Sequence, residues 1–182
     1  MRKVASVVVK STLASVLLLF YCSGRIASNG NDTDQDTVEI ARSEKSFTVS
    51  GENKFYQATL DIRGSHIFTL TKRTWLKLYR PAVNMNPDGV YEIYLSKGKS
   101  EVSSLKPDSP EFVNVFDVYQ LTSNSPPTML TYDVTKILAA NTGGARQLTI
   151  TILFRGNITA DKTESRDAGE IAIGGIGVVQ EK

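Results

Sequence analysis

The strongest constraint on this chain is a period-two alternation of apolar and polar side chains, which is clearest in the segment RQLTITILFRG at residues 146–156. One face of that segment carries Leu148, Ile150, Ile152 and Phe154, and the other carries Thr149, Thr151 and Arg155. Successive side chains of a β-strand point to opposite sides, so the pattern predicts a strand with one face in the core. No long segment has a helical period, which leaves sheets to form that core.

Similar runs continue from Phe47 to the end of the chain, and turn residues separate them. The other predicted strands are FTVS, YQATLDI, HIFTLT, TWLKLYRP, VYEIYLS, FVNVFDVYQL, MLTYDV and GEIAIGGIGVVQE. FVNVFDVYQL is apolar on both faces and predicts a central strand, whereas Gly174-Gly175 predict a kink or bulge. One short helical turn is expected at Thr135 to Ala139. About nine strands with frequent turns predict an all-β antiparallel sandwich, with the jelly roll as the preferred form.

The N-terminal segment predicts export. Met1-Arg2-Lys3 is basic, and the 11 residues from Ser11 to Tyr21 carry no charge, as in a signal peptide. A membrane-spanning helix needs roughly 20 apolar residues, so this run is short for that role. We therefore expect a signal peptide at residues 1–21, a polar tether that begins with Cys22 at residues 22–37, and a β-sandwich domain at residues 38–182.

Leu19 and Cys22 resemble the end of a bacterial lipoprotein signal, in which the cysteine directly follows the apolar run. Tyr21 departs from that pattern, because a small residue is usual before the cysteine. The resemblance implies that the Cys22 sulfur receives a diacylglyceryl group and that acyl chains hold the mature protein on a membrane. Ser23, in place of Asp, implies the outer membrane. Ordinary signal cleavage and an uncleaved anchor remain the alternatives.

Composition narrows the possible chemistry. The chain has one Cys and one His, so it can build neither an intramolecular disulfide nor a multi-histidine metal site. We expect no cofactor. The formal net charge of +2 predicts no nucleic-acid partner, since such partners need a concentrated basic face.

Catalytic patterns are weak. His66 would have to serve any Ser-His-Asp triad, and the sequence has no Gly-x-Ser-x-Gly segment. A glycosidase needs two carboxylates, for which Asp61, Glu92, Asp117 and Asp133 are candidates, although solvated surface charges explain them as well. We therefore expect no enzyme, with a small carboxylate-dependent glycan-active enzyme as an alternative.

The segment TWLKLYRP supplies the candidate binding surface. If Leu76 and Leu78 point into the core, the residues that alternate with them share the opposite face. Aromatic rings interleaved with a cation would form a platform for a sugar ring or a protein, and polar groups on the next strand along would extend it. The candidate ligand-binding residues are Trp75, Lys77, Tyr79, Glu92 and Tyr94. The alternative is that another element covers this face and Trp75 lies in the core.

The segment around Asp133-Val134-Thr135 looks like the strand–DVT–short helix–strand element of jelly-roll domains in bacterial cell-surface proteins and carbohydrate-binding modules. The preceding strands, from TWLKLYRP to FVNVFDVYQL, are similar to those of the same families. The resemblance implies a jelly roll. We expect a lipid-anchored extracytoplasmic binding or structural module, either carbohydrate-binding or a structural or adhesion subunit that recognises another surface protein.

Overall fold

The computed structural model describes residues 36–64, 68–84, 89–98, 100–116, 118–122, 125–140, 146–157 and 170–182. Its strands are β1 (Thr37–Ser43), β2 (Phe47–Val49), β3 (Phe55–Asp61), β4 (Thr74–Tyr79), β5 (Ala82–Asn84), β6 (Gly89–Lys97), β7 (Phe112–Val115), β8 (Met129–Asp133), β9 (Gln147–Asn157), β10 (Glu170–Ile173) and β11 (Gly175–Glu181). The helices are α1 (Val118–Leu121) and α2 (Thr135–Ala140), with a 3-10 turn at Val102–Ser104. No helix in these ranges is long and apolar enough to cross a membrane. The predicted signal peptide, Cys22, His66 and Asp117 lie outside them.

The chain crosses the sandwich eight times, and we call each crossing a pass. Bends divide three of the passes into two strands each, namely β1/β2, β4/β5 and β10/β11, which gives eleven strands in two layers. The first sheet has the order β1-β11-β4-β8 and continues past the bends as β2-β10-β5, and the second has the order β3-β9-β6-β7. The first pass pairs with the eighth, the second with the seventh, the third with the sixth and the fourth with the fifth. Such a ribbon, rolled so that its pairs alternate between two sheets, is a jelly roll. The predicted antiparallel sandwich is confirmed.

The core lies between the inner faces of the two sheets, where the period-two pattern predicted it. Ile150 and Ile152 of β9 and Leu76 of β4 are fully buried in one apolar cluster. Burial of each such side chain contributes about 1.5–3 kcal/mol to stability. The alternation in β4 and β9 therefore fixes which face of each sheet is left for other uses.

The bend between β10 and β11 occurs at Gly174, as the glycine pair predicted. The guanidinium of Arg80, on the neighbouring pass, donates through Nη2 to the carbonyl oxygen of Gly174 at 2.9 Å. A Cβ on Gly174 would lie 2.7 Å from Nε of Arg80, so a larger residue would have to displace the Arg80 side chain. Arg80 itself has a φ of 48°, a left-handed conformation that costs about 1–2 kcal/mol.

One predicted strand is wrong, and a second is shorter than predicted and lies at an edge. Residues 68–71 of HIFTLT form no strand, because the chain there crosses from the second sheet to the first, and Leu70 is 70% exposed. FVNVFDVYQL contains only the edge strand β7, followed by the short helix α1. The apolar residues on its second face do not indicate a central strand. One of them, Phe112, packs edge-on against Tyr94 on the outer side of the sheet, with ring centroids 5.6 Å apart.

The predicted helical turn is confirmed as α2, and the residues of the DVT segment explain its position. β8 ends at Asp133, whose Oδ1 accepts a hydrogen bond from the backbone N–H of Thr135 at 2.9 Å. Short polar side chains favour this kind of local turn at the start of a helix. Oγ1 of the buried Thr135 accepts the backbone N–H of Thr74 at 2.9 Å, which ties the turn to the start of β4.

Candidate functional site

The outer face of the first sheet carries the predicted aromatic segment. Leu76 and Leu78 are 0% exposed and point inward, which confirms the predicted orientation of β4. Trp75, Lys77 and Tyr79 alternate with them on the outer face, and all three are partly exposed. Trp75 is therefore outside the fully buried core and is partly exposed.

Trp75 has two cross-strand neighbours on this outer face. It lies in register with Asp133 of β8 on one side and with Val179 of β11 on the other. Directly opposed residues in an antiparallel pair have Cβ atoms about 4.5–5.5 Å apart. Asp133 is exposed, whereas Val179 is 5% exposed. The indole therefore has an apolar neighbour on one side and a carboxylate on the other.

Lys77 extends the polar side of this arrangement. It lies one step further along the outer face of β4, in register with Thr131 of β8 and Gly177 of β11. A hydroxyl can donate and accept, an ammonium donates, and the carboxylate of Asp133 accepts. Trp75, Lys77, Thr131 and Asp133 thus combine an aromatic surface with both kinds of hydrogen-bonding group, and we call them the Trp75 face.

Tyr79 has a different role from Trp75. Its ring lies on β11, because a Cβ on Gly177 would lie 2.9 Å from both Cε2 and Oη of the tyrosine. The guanidinium carbon of Arg42 lies 4.7 Å from the centre of the same ring, a cation–π contact. One face of the Tyr79 ring packs over Gly177, and the ring also contacts the guanidinium of Arg42. Tyr79 therefore offers a ligand less stacking surface than the sequence predicted.

Arg42 belongs to a charged group at the β1 edge of the sheet. Its Nη1 lies 2.9 Å from Oε2 of Glu39, and its Nε lies 3.2 Å from Oε1 of Glu44. The hydrogen bond to Glu39 is the main cause of the raised pKa of Arg42. Arg63 reaches the other oxygen of Glu39 at 3.1 Å. Glu39 and Glu44 thus flank the guanidinium that lies over Tyr79, and such solvent-accessible pairs contribute little energy individually.

The predicted extension of the platform by Glu92 and Tyr94 is wrong in its geometry. Both residues lie on β6, which belongs to the second sheet, whereas Trp75 lies on β4 of the first. Their side chains point outward from the second sheet, so the two groups occupy opposite sides of the sandwich. The reason is topological, since the chain crosses from the first sheet to the second between β4/β5 and β6.

The buried Glu92 and Tyr94 form a polar cluster with the partly exposed Arg155 of β9. Nε of Arg155 donates to Oε2 of Glu92 at 2.6 Å, and the Tyr94 hydroxyl donates to the same oxygen at 2.5 Å. Arg155 also donates to Tyr94 Oη at 3.0 Å and to the carbonyl oxygen of Leu105. Glu92 is 5% exposed and Tyr94 is 1% exposed. We call these three side chains the Glu92 cluster.

Electrostatic effects in this cluster follow from burial and hydrogen bonding. Burial, with a contribution from the hydrogen bond to Glu92, raises the pKa of Tyr94 above its usual value. The hydrogen bond to Glu92 raises the pKa of Arg155. Sequence reasoning missed Arg155 as the partner of Glu92. The available signal was that Arg155 is the one charged residue in the eleven residues of β9.

The candidate catalytic carboxylates do not come together. Asp61 and Glu92 both face outward from the second sheet, but they align with Gln147 and Leu153 of β9, six residues apart. At roughly 3.4 Å per residue they are about 20 Å apart, whereas glycosidase carboxyl pairs are about 5–9.5 Å apart. Asp133 lies on the first sheet. Among the described residues, these three carboxylates therefore form no acid–base pair.

Comparisons with known proteins agree with the fold. No protein-family model matches the chain, and no curated protein matches its sequence. A recombinantly expressed latent aurone synthase, a polyphenol oxidase, is similar in structure with a TM-score of 0.50 and 14% identity, over 74% of this chain and 25% of that chain. A latent apple tyrosinase has a TM-score of 0.50 and 14% identity, over 75% of this chain and 28% of that one. The chain thus spans about a quarter of these proteins, and the likeness shows the fold alone.

Proposed function

We propose that this protein is a non-catalytic, lipid-anchored binding module that binds carbohydrate through the Trp75 face. The observation that carries the proposal is the partly exposed position of Trp75 on the outer face, with Asp133 directly opposite it on the neighbouring strand. Fold likeness to polyphenol oxidases contributes nothing to this assignment, because function depends on the site.

Sugar rings suit this arrangement for two physical reasons. The C–H faces of a pyranose are apolar and can stack on the flat indole, which removes apolar area from water. The hydroxyl groups at the rim of the ring need hydrogen-bond partners, since a polar group desolvated without one costs free energy. Asp133, Thr131 and Lys77 supply acceptors and donors on two adjacent strands of the same face.

The test uses the full chain, purified from membranes in detergent, on a glycan array and in affinity gels. Trp75 is the only tryptophan in the chain, so a change in intrinsic fluorescence on titration would report on the site directly. We expect Trp75→Ala to lower affinity at least about tenfold, as stacking side chains typically do. Phe55→Ala is the matched control, because Phe55 is an aromatic residue 47% exposed on the other sheet.

Two outcomes would overturn this assignment. Unchanged retention of Trp75→Ala would remove the Trp75 face from sugar binding. Capture of a surface protein that depends on Trp75, with no glycan bound by the wild type, would instead establish the structural or adhesion subunit.

The proposed anchor is the acylated sulfur of Cys22, with the protein held on the outer membrane. Two or more acyl chains hold a protein on a bilayer stably, whereas one is marginal. Cys22→Ser should move the protein from the membrane fraction to the soluble exported fraction, and Ser23→Ala should leave it anchored. A Cys22→Ser protein that stays on the membrane with its leader intact would show an uncleaved anchor instead.

A further inference from the structure

Asp133 has a fixed position beside the proposed stacking surface. It is in register with Trp75, and the backbone N–H of Thr135 donates to its Oδ1 at 2.9 Å. An ionised carboxylate offers about four acceptor positions, so one such bond leaves acceptor capacity for a ligand. The N–H bond restricts rotation of the side chain, which means that the carboxylate is ordered before any ligand arrives.

We propose that the Trp75 face selects neutral, polyhydroxylated sugars over uronic acids and other anionic glycans, and that Asp133 is the residue that determines this selectivity. The inference rests on the proposed function and names its substrate class. The carboxylate of Asp133 accepts hydrogen bonds from the hydroxyl groups of a neutral sugar. It repels the carboxylate of a uronic acid that occupies the same place.

The cations near Trp75 do not reverse this selection. Lys77 and Arg73 lie two residues away on either side of Trp75 along the chain, on or next to β4, about 7 Å from it. Glu181 of β11 stands diagonally from Trp75, and its Oε2 accepts the backbone N–H of Arg73 at 3.1 Å. Among the described charged residues adjacent to Trp75 on or next to β4, β8 and β11, two are thus positive and two are negative, so these neighbours supply no net positive field to attract anions. Of these four charged residues, Asp133 is the one directly opposite Trp75 on the neighbouring strand.

The experiment compares polysaccharides that share a backbone and differ in whether their substituents carry a negative charge. Suitable pairs are methyl-esterified and de-esterified pectin, hydroxyethyl- and carboxymethyl-cellulose, and dextran and carboxymethyl-dextran. Affinities of the full chain are measured in affinity gels at neutral pH and low ionic strength. The variant Asp133→Asn removes the charge but keeps Oδ1 as the acceptor for Thr135, so α2 keeps its start. Its thermal unfolding checks that the fold is retained.

We expect wild-type protein to bind the neutral member of a pair at least about tenfold more tightly, and Asp133→Asn to lose most of that preference. Equal or tighter binding of the acidic member, abolished by Trp75→Ala, would overturn the selectivity and leave carbohydrate binding intact. An unchanged preference in Asp133→Asn would remove Asp133 from this role. Absence of binding to every polysaccharide would overturn the proposed function and this inference together.

Discussion

The two outer faces of the sandwich use the same kinds of side chain in opposite ways. On the first sheet, Trp75 is partly exposed beside the exposed carboxylate of Asp133. On the second sheet, Tyr94 and Glu92 also combine an aromatic ring with a carboxylate, but both are buried. An aromatic residue next to an acid is therefore not in itself a binding surface.

The difference comes from the connection between β6 and β7, which crosses the outer face of the second sheet. Leu105 from this connection packs with Tyr94 and Leu153 in a small second core. Earlier in the same connection, the carbonyl oxygen of Ser100 accepts a hydrogen bond from the side chain of Gln57 of β3 at 3.0 Å. The cover excludes water from Glu92, and a buried carboxylate then requires a partner, which Arg155 provides.

Among the polar side chains of the two outer faces, the largest effect is expected from Arg155→Met, which leaves the buried Glu92 without its cation. Removing one partner of a buried ion pair costs about 3–5 kcal/mol, and we expect a value near the lower end because the Arg155 side chain is 36% exposed. Urea unfolding followed by circular dichroism measures it. Arg63→Met is the control, since it breaks the exposed pair with Glu39 and should cost less than about 1 kcal/mol.

A second variant shows whether the charge itself causes that loss. Replacing both partners, as Glu92→Leu with Arg155→Met, removes the unpaired carboxylate and should recover most of the stability. If the double variant is as unstable as Arg155→Met alone, the loss would come from the contacts of Arg155 with the segment around Leu105 and not from an unpaired charge. The two outer faces would then differ only in whether a loop covers them.

Alkaline pH is expected to weaken the second face in particular. The pKa of Tyr94 is raised in the folded protein, so above about pH 10 the unfolded chain has released a proton that the folded chain still holds. The free energy of unfolding should therefore fall as pH rises through that range and should be unaffected by this group at lower pH. Urea midpoints at about pH 8 and about pH 11 measure the fall.

Tyr94→Phe isolates this contribution. Tyr56 and Tyr91 also have pKa values raised by burial, so they add to the alkaline fall in every variant. Tyr94→Phe should have a smaller fall than the wild type, together with a pH-independent loss of about 1 kcal/mol for its missing hydrogen bonds. An equal fall in both proteins would mean that the cluster does not hold the Tyr94 proton.

The local features of this fold could be predicted from the sequence. Which distant residues meet, and which sheet each strand joins, could not. Alternation indicated that Leu76 and Leu78 point inward, and the DVT residues indicated the turn after β8, because both depend on neighbouring residues. The association of Glu92 with Arg155 joins positions 63 residues apart. The separation of β6 from β4 likewise depends on the order of strands in the sheets, which no local pattern contains.

The smallest effect on stability is expected from Trp75→Ala, the same substitution that should weaken ligand binding most. Trp75→Ala removes a partly exposed residue whose apolar cross-strand neighbour is Val179, and such a pair contributes about 0.2–1 kcal/mol. Leu76→Ala, one residue along the same strand but fully buried, should cost about 2–5 kcal/mol. Circular dichroism must follow both unfolding curves, because Trp75 is the only tryptophan. A loss for Trp75→Ala as large as that for Leu76→Ala would show that the indole stabilises the sandwich, and the first face would then resemble the second.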